Sequence, residues 1–481
     1  MTGSQRPNKA RQWKPAARSF AVLTAVALAA AGIPAVAQQG GGGPPIIRDA
    51  EIEQLLREYT QPILKVAGLT QQNIRVVIIN DRSFNAFVAD GHRIFINSGA
   101  LMQAKTPNEV IGVLAHESGH IAGGHLARMR EQMANASTES LVAMLLGIGA
   151  MVAGARSGSQ GGTDIGMAAM TMPQGLIQST MLAYIRTQEE QADRAGVKFL
   201  TATAQSPKGM YDTFKRLGDE LLFQSRYIDP YLQTHPMPKE RVAALEELVK
   251  SSPYWEKKDS PELQFRHDMM RAKLYGYMDR SEISGNRYPA SDQSLPARYA
   301  RAIAASRFSD PHAAMAQIDA LIEAQPQNPY FHELKGQTLL EGGKPADAVA
   351  PLRRAAQLAP NPALIQILLG RALVESNDPA HLNEAISVLE SSLSREPESV
   401  EGYNQLAMAY GRKGDLAHAD LSSAQSALMR GDMKAARMLA SRAKDRFPVG
   451  SPGWVRADDI SNKDPTGAAH STVVVHPKNP P

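Results

Sequence analysis

The chain has 481 residues, 43% hydrophobic and 21% charged, enough for two or three domains with sizeable cores. Its net charge of +4 sits at the start: the first 37 residues hold Arg6, Lys9, Arg11, Lys14 and Arg18 and no acid, which leaves 47 basic against 48 acidic groups elsewhere. That balance argues against a nucleic-acid partner, and the absence of cysteine excludes both a disulfide framework and a lipoprotein anchor.

The basic stretch runs into "SFAVLTAVALAAAGIPAVA", a short apolar run ending in Ala35-Val36-Ala37. Positive segment, apolar run and small-x-small site describe a secretory signal peptide over residues 1–37; the shortness of the run and Pro34 disfavour a retained membrane anchor. A cysteine-free exported chain fits a bacterial periplasm, where oxidation makes stray thiols a liability. "QQGGGGPP" (38–45) reads as a flexible spacer.

Residues 46–250 read as one compact domain. "AEIEQLLREYTQPILKVAG" is helical in period and Gly68 can end it. "IRVVIIN" and "HRIFINSGAL" are rich in Val and Ile and read as strands, with a turn in "VADGH" between them. In "KTPNEVIGVLAHESGHIAGGHLARMR", Thr106 can cap a helix, Pro107 fits its first position and Glu109 completes a capping box.

That helix carries His116 and His120 four residues apart, with Glu117 beside the first, so both imidazoles project from one face. H-E-x-x-H is a zinc-protease pattern. The extended pattern with a third histidine six residues beyond the second is ruled out, because Leu126 stands there. A catalytic zinc commonly takes two His and one Glu and leaves a position for water, so a downstream acid is required.

Next, "LVAMLLGIGAMVAGA" (141–155) reads as a buried helix, with a lipid-contacting segment, and hence peripheral membrane contact, as the alternative. "RSGSQGGTD" reads as a mobile loop, and Met167, Met170 and Met172 follow it as adaptable packing residues. Beyond them, "LAYIRTQEEQADRAG" offers two glutamates. Glu190 has Arg186 and Arg194 four residues to either side, which suits a solvated face. Glu189 shares the stripe of Leu182, Ile185, Ala192 and Gly196, and a carboxylate on a buried face must be paired or metal-bound. Asp193, one turn later, can support a ligand from behind. Glu189 is therefore the expected third ligand.

Residues 251–297 read as a linker region. From 298 to 448 the chain repeats: Ala302, Gly336, Gly370 and Ala407 hold matching places, as do Ala314, Ala348, Ala385 and Ala419, while Pro326, Pro360 and Pro397 end successive units. Small residues at such steps let paired helices approach closely, and the period resembles the tetratricopeptide repeat, about four times over. The tail, 449–481, reads as disordered.

"HESGHIAGGH", "EEQAD" and "HPMPKER" (235–241), in that order, resemble the M48 zinc metallopeptidase family. With the export signal and repeats, the chain is similar to its periplasmic members that act in outer-membrane protein assembly. The resemblance implies one Zn2+ held by His116, His120 and Glu189, with Glu117 as general base and Asp193 in support. It also implies active-site roles for His235 and Arg241, with His235 either stabilising the oxyanion or plugging the metal's open position. His125 matches a further family histidine, but nine residues beyond His116 it is on a different turn and face and is not taken as a ligand. The "HRIFINSGAL" strand offers an edge against which an extended peptide can pair.

The expected fold is therefore α+β, mainly α: a zincin-like metalloprotease domain followed by a repeat solenoid. The expected function is a periplasmic zinc endopeptidase in envelope protein quality control. Its substrates would be unfolded or misassembled envelope proteins, and its repeats would recruit clients or the outer-membrane assembly machinery. The alternatives are a chaperone-like scaffold with an occluded metal site and a plain repeat adaptor. An intact Glu117 argues against the adaptor, since a binding protein has no need of that carboxylate.

Overall fold

The computed structural model describes residues 45–132, 174–223, 231–232, 235–279, 281–308 and 311–463. The readings of a signal peptide, of the apolar run 141–155, of the loop and methionines after it and of the chain beyond 463 lie outside these residues.

A four-stranded sheet, in the order β1-β2-β4-β3, is formed by β1 (Ile46–Ile47), β2 (Arg75–Ile79), β3 (Ala86–Val88) and β4 (Arg93–Asn97). β2 and β4 are parallel, Arg75 opposite Arg93 through Ile79 opposite Asn97, and the other pairs are antiparallel. The Ala50–Val66 helix connects β1 to β2: Asp49 accepts the Ile52 N–H at 2.9 Å to start it, and Gly68, at φ +72°, reverses the chain after it.

Two expectations about "HRIFINSGAL" are corrected here. The strand stops at Asn97, and Ser98–Gln103 is a helix. The turn is fixed by Asp81, whose carbonyl accepts from both Ser98 Oγ and the Gly99 N–H at 2.8 Å, while a Cβ on Gly99 would come within 2.2 Å of the Arg82 carbonyl. Nor is β4 an edge. It lies between β2 and β3 with both sides hydrogen-bonded, so no peptide can add to it. On that side the edge strand is β3.

The Pro107–Ala122 helix starts on Thr106, whose Oγ1 accepts the Glu109 N–H at 3.4 Å; Glu109 reaches back to the Lys105 N–H at 3.1 Å, one residue earlier than a regular capping box. This helix packs on the Gln174–Ala202 and Lys208–Phe223 helices. Glycines set the separation. A Cβ on Gly112 would lie 2.6 Å from Met210 Cα, and one on Gly119 would lie 2.8 Å from the Ala192 carbonyl oxygen. The histidine-bearing and glutamate-bearing helices are thus in backbone contact, which lets short side chains meet between them.

Residues 251–297 are not slack chain. They contain the Pro261–Met278 helix, whose His267, Met269, Met270, Lys273 and Leu274 are buried, and the Ser281–Arg287 helix. His267 Nδ1 meets the Tyr59 hydroxyl at 3.1 Å and Tyr275 donates to the Met102 carbonyl at 3.0 Å, which ties this helix to the peptidase core. Lys273 is also buried, its Nζ 2.8 Å from Asp49, 3.1 Å from Glu51 and 3.9 Å from Glu333, so one cation joins the first helix, this helix and the repeats.

Repeat helices then pair in order: Leu295–Phe308 with Pro311–Ala324, Pro329–Glu341 with Pro345–Leu358, Ala363–Glu375 with Leu382–Arg395, and Val400–Lys413 with Leu416–Met429. At the close crossings a Cβ on Gly336 would come within 2.3 Å of Leu352, and one on Gly370 within 2.5 Å of Leu389. The helices continue past 448. Met433–Lys444 and Pro452–Ser461 pack together through Ala436, Ala440, Ala443, Ala457 and Ile460, so the expected disordered tail is ordered at least to 463. Among the described residues no helix is long and apolar enough to cross a membrane.

Candidate metal centre

Four side chains from three segments converge at the crossing of the two close-packed helices. His116 and His120 bring their Nε2 atoms to 3.1 Å. Glu189 Oε2 lies 3.4 Å from His116 Nε2, and its Oε1 lies 3.4 Å from His120 Nε2. His235 adds Nδ1, 3.4 Å from His116 Nε2 and 2.9 Å from Glu189 Oε2. One donor atom from each lies within 4.8 Å of the others.

This donor set fits a metal. Tetrahedral zinc with bonds of about 2.0–2.2 Å needs ligand atoms about 3.3–3.5 Å apart, and it takes nitrogen and carboxylate oxygen. Glu189 enters the group and is buried, whereas Glu190 is exposed.

The surroundings favour positive charge at this point. Asp193 Oδ1 lies 2.9 Å from His116 Nδ1, turning the other ring nitrogen toward the group. Burial opposes charging His116, but Asp193 and Glu189 outweigh it and push its pKa up to about 9. Burial holds His120 well below its ordinary value. Glu189 is driven the opposite way from a desolvated acid: burial would raise it, but His235, Arg241 and His120 hold it well below the usual carboxylate range.

Glu117 differs. Both its oxygens are buried and make no hydrogen bond, and burial pushes its pKa up. Its nearest basic atom is His235 Nε2, 3.6 Å from Oε1. His235 is held by Tyr231, on whose ring it stacks at 4.5 Å and 27°, and by a 2.7 Å bond from its N–H to the Tyr231 carbonyl.

Arg241 is in the first turn of the Lys239–Lys250 helix, where its guanidinium donates to both Asp193 oxygens at 2.7 and 2.8 Å. It also contacts Glu189 Oε2 at 2.8 Å and the Pro236 carbonyl at 3.0 Å. That uses its donors behind the donor group. So placed, Arg241 ties Asp193, Glu189 and the His235 segment together.

Sequence reasoning missed two neighbours. The Phe214 ring stands edge-on to His116 at 5.1 Å and dries that side of the group. His125, set aside as a ligand, is nonetheless in contact with the centre: its Nδ1 lies 3.0 Å from His120 Nδ1. The signal was the Gly123-Gly124 pair before it. Gly124 sits at φ +62° and ends the helix, so His125 folds back instead of continuing around the same spiral.

Residues 47–249 match the model of peptidase family M48, and residues 299–362 match a tetratricopeptide repeat model. The chain is 24% identical over 428 residues to the beta-barrel assembly-enhancing protease of Escherichia coli strain K12, covering 87% of this chain and 84% of that protein. It is 25% identical over 423 residues to the protein of the same name from Yersinia pestis, covering 86% and 83%. Over 187 residues it is 25% identical to the mitochondrial metalloendopeptidase OMA1 of Schizosaccharomyces pombe, covering 39% and 50%.

Proposed function

From a peptidase family M48 domain over residues 47–249, a metalloendopeptidase unit with tetratricopeptide repeats behind it, we propose that the chain is a zinc-dependent endopeptidase of the Gram-negative periplasm. Its task is quality control of envelope proteins, in particular those bound for the outer membrane. The observation that carries the reading is the convergence of His116, His120, Glu189 and His235 beside the Glu117 carboxylate, which makes no hydrogen bond.

His116, His120 and Glu189 would hold the metal. Bound zinc polarises a carbonyl oxygen and acidifies a coordinated water. Glu117 takes a proton from the attacking water onto its carboxylate and delivers it to the leaving amine nitrogen; burial, by raising its pKa, suits it to both halves of that transfer. Asp193 and Arg241 keep His116 and Glu189 in register.

His235 acts as a plug in the resting chain. Its Nδ1 is within donor distance of Glu189 and His116, and its Nε2 faces Glu117, so its ring fills the space a water and a peptide carbonyl need. Neutral imidazole is a good zinc ligand and can take the water's position. A protease so restrained does not attack every unfolded neighbour. The same observation favours a second reading, a chaperone-like scaffold whose repeats hold clients while the metal site stays occluded.

The relatives named for beta-barrel assembly support a client class of outer-membrane proteins, and the repeats supply a surface for recruiting clients or assembly machinery. Metal analysis together with casein hydrolysis by the mature protein and its Glu117→Gln form tests the reading. About one zinc per chain and hydrolysis lost only in the variant are expected. Zinc binding with no hydrolysis by either form supports the scaffold instead.

A further inference from the structure

His125 is the one histidine beside the donor group to which the proposed mechanism gives no task. Its side chain is 2% exposed, and its ring meets that of His120 edge-on, centroids 5.0 Å apart at 84°. The two rings face each other Nδ1 to Nδ1 at 3.0 Å, and on its far side His125 Nε2 lies 3.2 Å from Gln191 Oε1.

With the Gln191 amide oxygen turned to His125 Nε2, the proton arrangement along this chain of contacts follows. The Gln191 carbonyl oxygen can only accept, so His125 Nε2 carries a hydrogen and its Nδ1 is a bare acceptor. His120 Nδ1 must then be the donor, which leaves the lone pair of His120 on Nε2, pointing at His116 and Glu189. We propose that His125 is a positioning residue for the metal centre, holding His120 in the tautomer and rotamer that present Nε2 to the ion. This rests on the metallopeptidase reading and deepens it.

His116 has Asp193 for the same purpose, so the two histidine ligands are oriented by different chemistry. A second carboxylate behind His120 would add another negative charge to a buried pocket that already contains Glu117, Glu189 and Asp193. An imidazole supplies the acceptor with no net charge. The backbone makes room for it: a Cβ on Gly123 would fall 2.3 Å from His125 Nε2, so an alanine there displaces the ring.

The test is zinc affinity, measured by competition with a chromogenic chelator on the full mature chain, with folding followed separately by thermal melts of the metal-free protein. His125→Leu keeps much of the volume but removes the acceptor and should weaken zinc binding roughly ten- to hundredfold. His125→Asn, whose carbonyl oxygen can take the place of Nδ1, should recover most of that loss, which a purely space-filling role would not predict. Gly123→Ala should weaken binding in the same direction and gives an independent reading should His125→Leu not fold. Wild-type affinity in His125→Leu or Gly123→Ala, or no difference between Leu and Asn at 125, overturns the inference while wild-type zinc binding stands. Failure of the wild type to bind zinc overturns the metallopeptidase reading itself.

Discussion

Glu117 Oε1 and His235 Nε2 face each other at 3.6 Å, across the space where a nucleophilic water would have to stand between base and metal. The base and the activated water cannot both be in place while His235 occupies that position. Removing the ring by His235→Ala is therefore expected to raise casein hydrolysis several-fold. A steady-state rate assay on metal-loaded protein decides it: a fall to background would make His235 a transition-state donor instead.

Glu117 makes no contact that would hold a metal, so its loss should separate binding from catalysis. Glu117→Gln is expected to keep its zinc and to lose about two to four orders of magnitude in peptide hydrolysis. Zinc content by atomic absorption beside the rate checks both halves. Retained activity would remove the mechanism.

Two adjacent glutamates offer a sharper contrast. Glu189 touches His116, His120, His235 and Arg241, whereas Glu190 is exposed. Glu189→Gln should strip the metal and Glu190→Gln should leave its stoichiometry unchanged. The reverse ranking would sink the donor assignment.

Arg241 is buried with two carboxylates on its guanidinium. Arg241→Leu leaves Asp193 and Glu189 without their common cation, at a cost of about 3–5 kcal/mol in the metal-free protein. Urea melts of the apo form read that directly. Added zinc should restore part of the loss, because it neutralises the same pair.

How far the sequence could be read follows from how local each signal is. His116, His120 and the Glu189–Glu190 distinction depend on positions within one helix, and spacing alone places them. The repeats were legible because Gly336 and Gly370 recur where helices cross. The Pro261–Met278 helix was not, because Lys273 lies buried on it and its partners Asp49 and Glu51 are more than two hundred residues away. A lysine on a helix reads as solvent-facing until those partners are known. The position of β4 inside the sheet was equally non-local: it depends on β2 and β3 flanking it. His125 was hidden by a chain reversal of two glycines, after which helical spacing no longer applies.

The buried cluster around Lys273 leads to the last prediction. Three carboxylates, Asp49, Glu51 and Glu333, share that one lysine, with Tyr299 donating to Glu51 at 2.9 Å. Glu333 is the most distant, 3.9 Å from Nζ, and burial together with the charges of Asp49 and Glu51 pushes its pKa up to about 8, against the pull of Lys273. In the folded chain it therefore keeps its proton through neutral pH, whereas in the unfolded chain it ionises near its ordinary value of 4.5. An acid whose folded pKa is raised stabilises the fold fully below the unfolded value and loses that contribution as pH climbs through the folded one. Between about pH 4.5 and 8 this group makes stability fall with rising pH. Glu333→Gln, which mimics the protonated carboxyl, should melt close to wild type at pH 5 and above it at pH 8.5. Calorimetric melting temperatures of both proteins at both values give the double difference. A variant that follows wild type in parallel across that range would show that Glu333 is charged in the fold and that Lys273 balances all three acids.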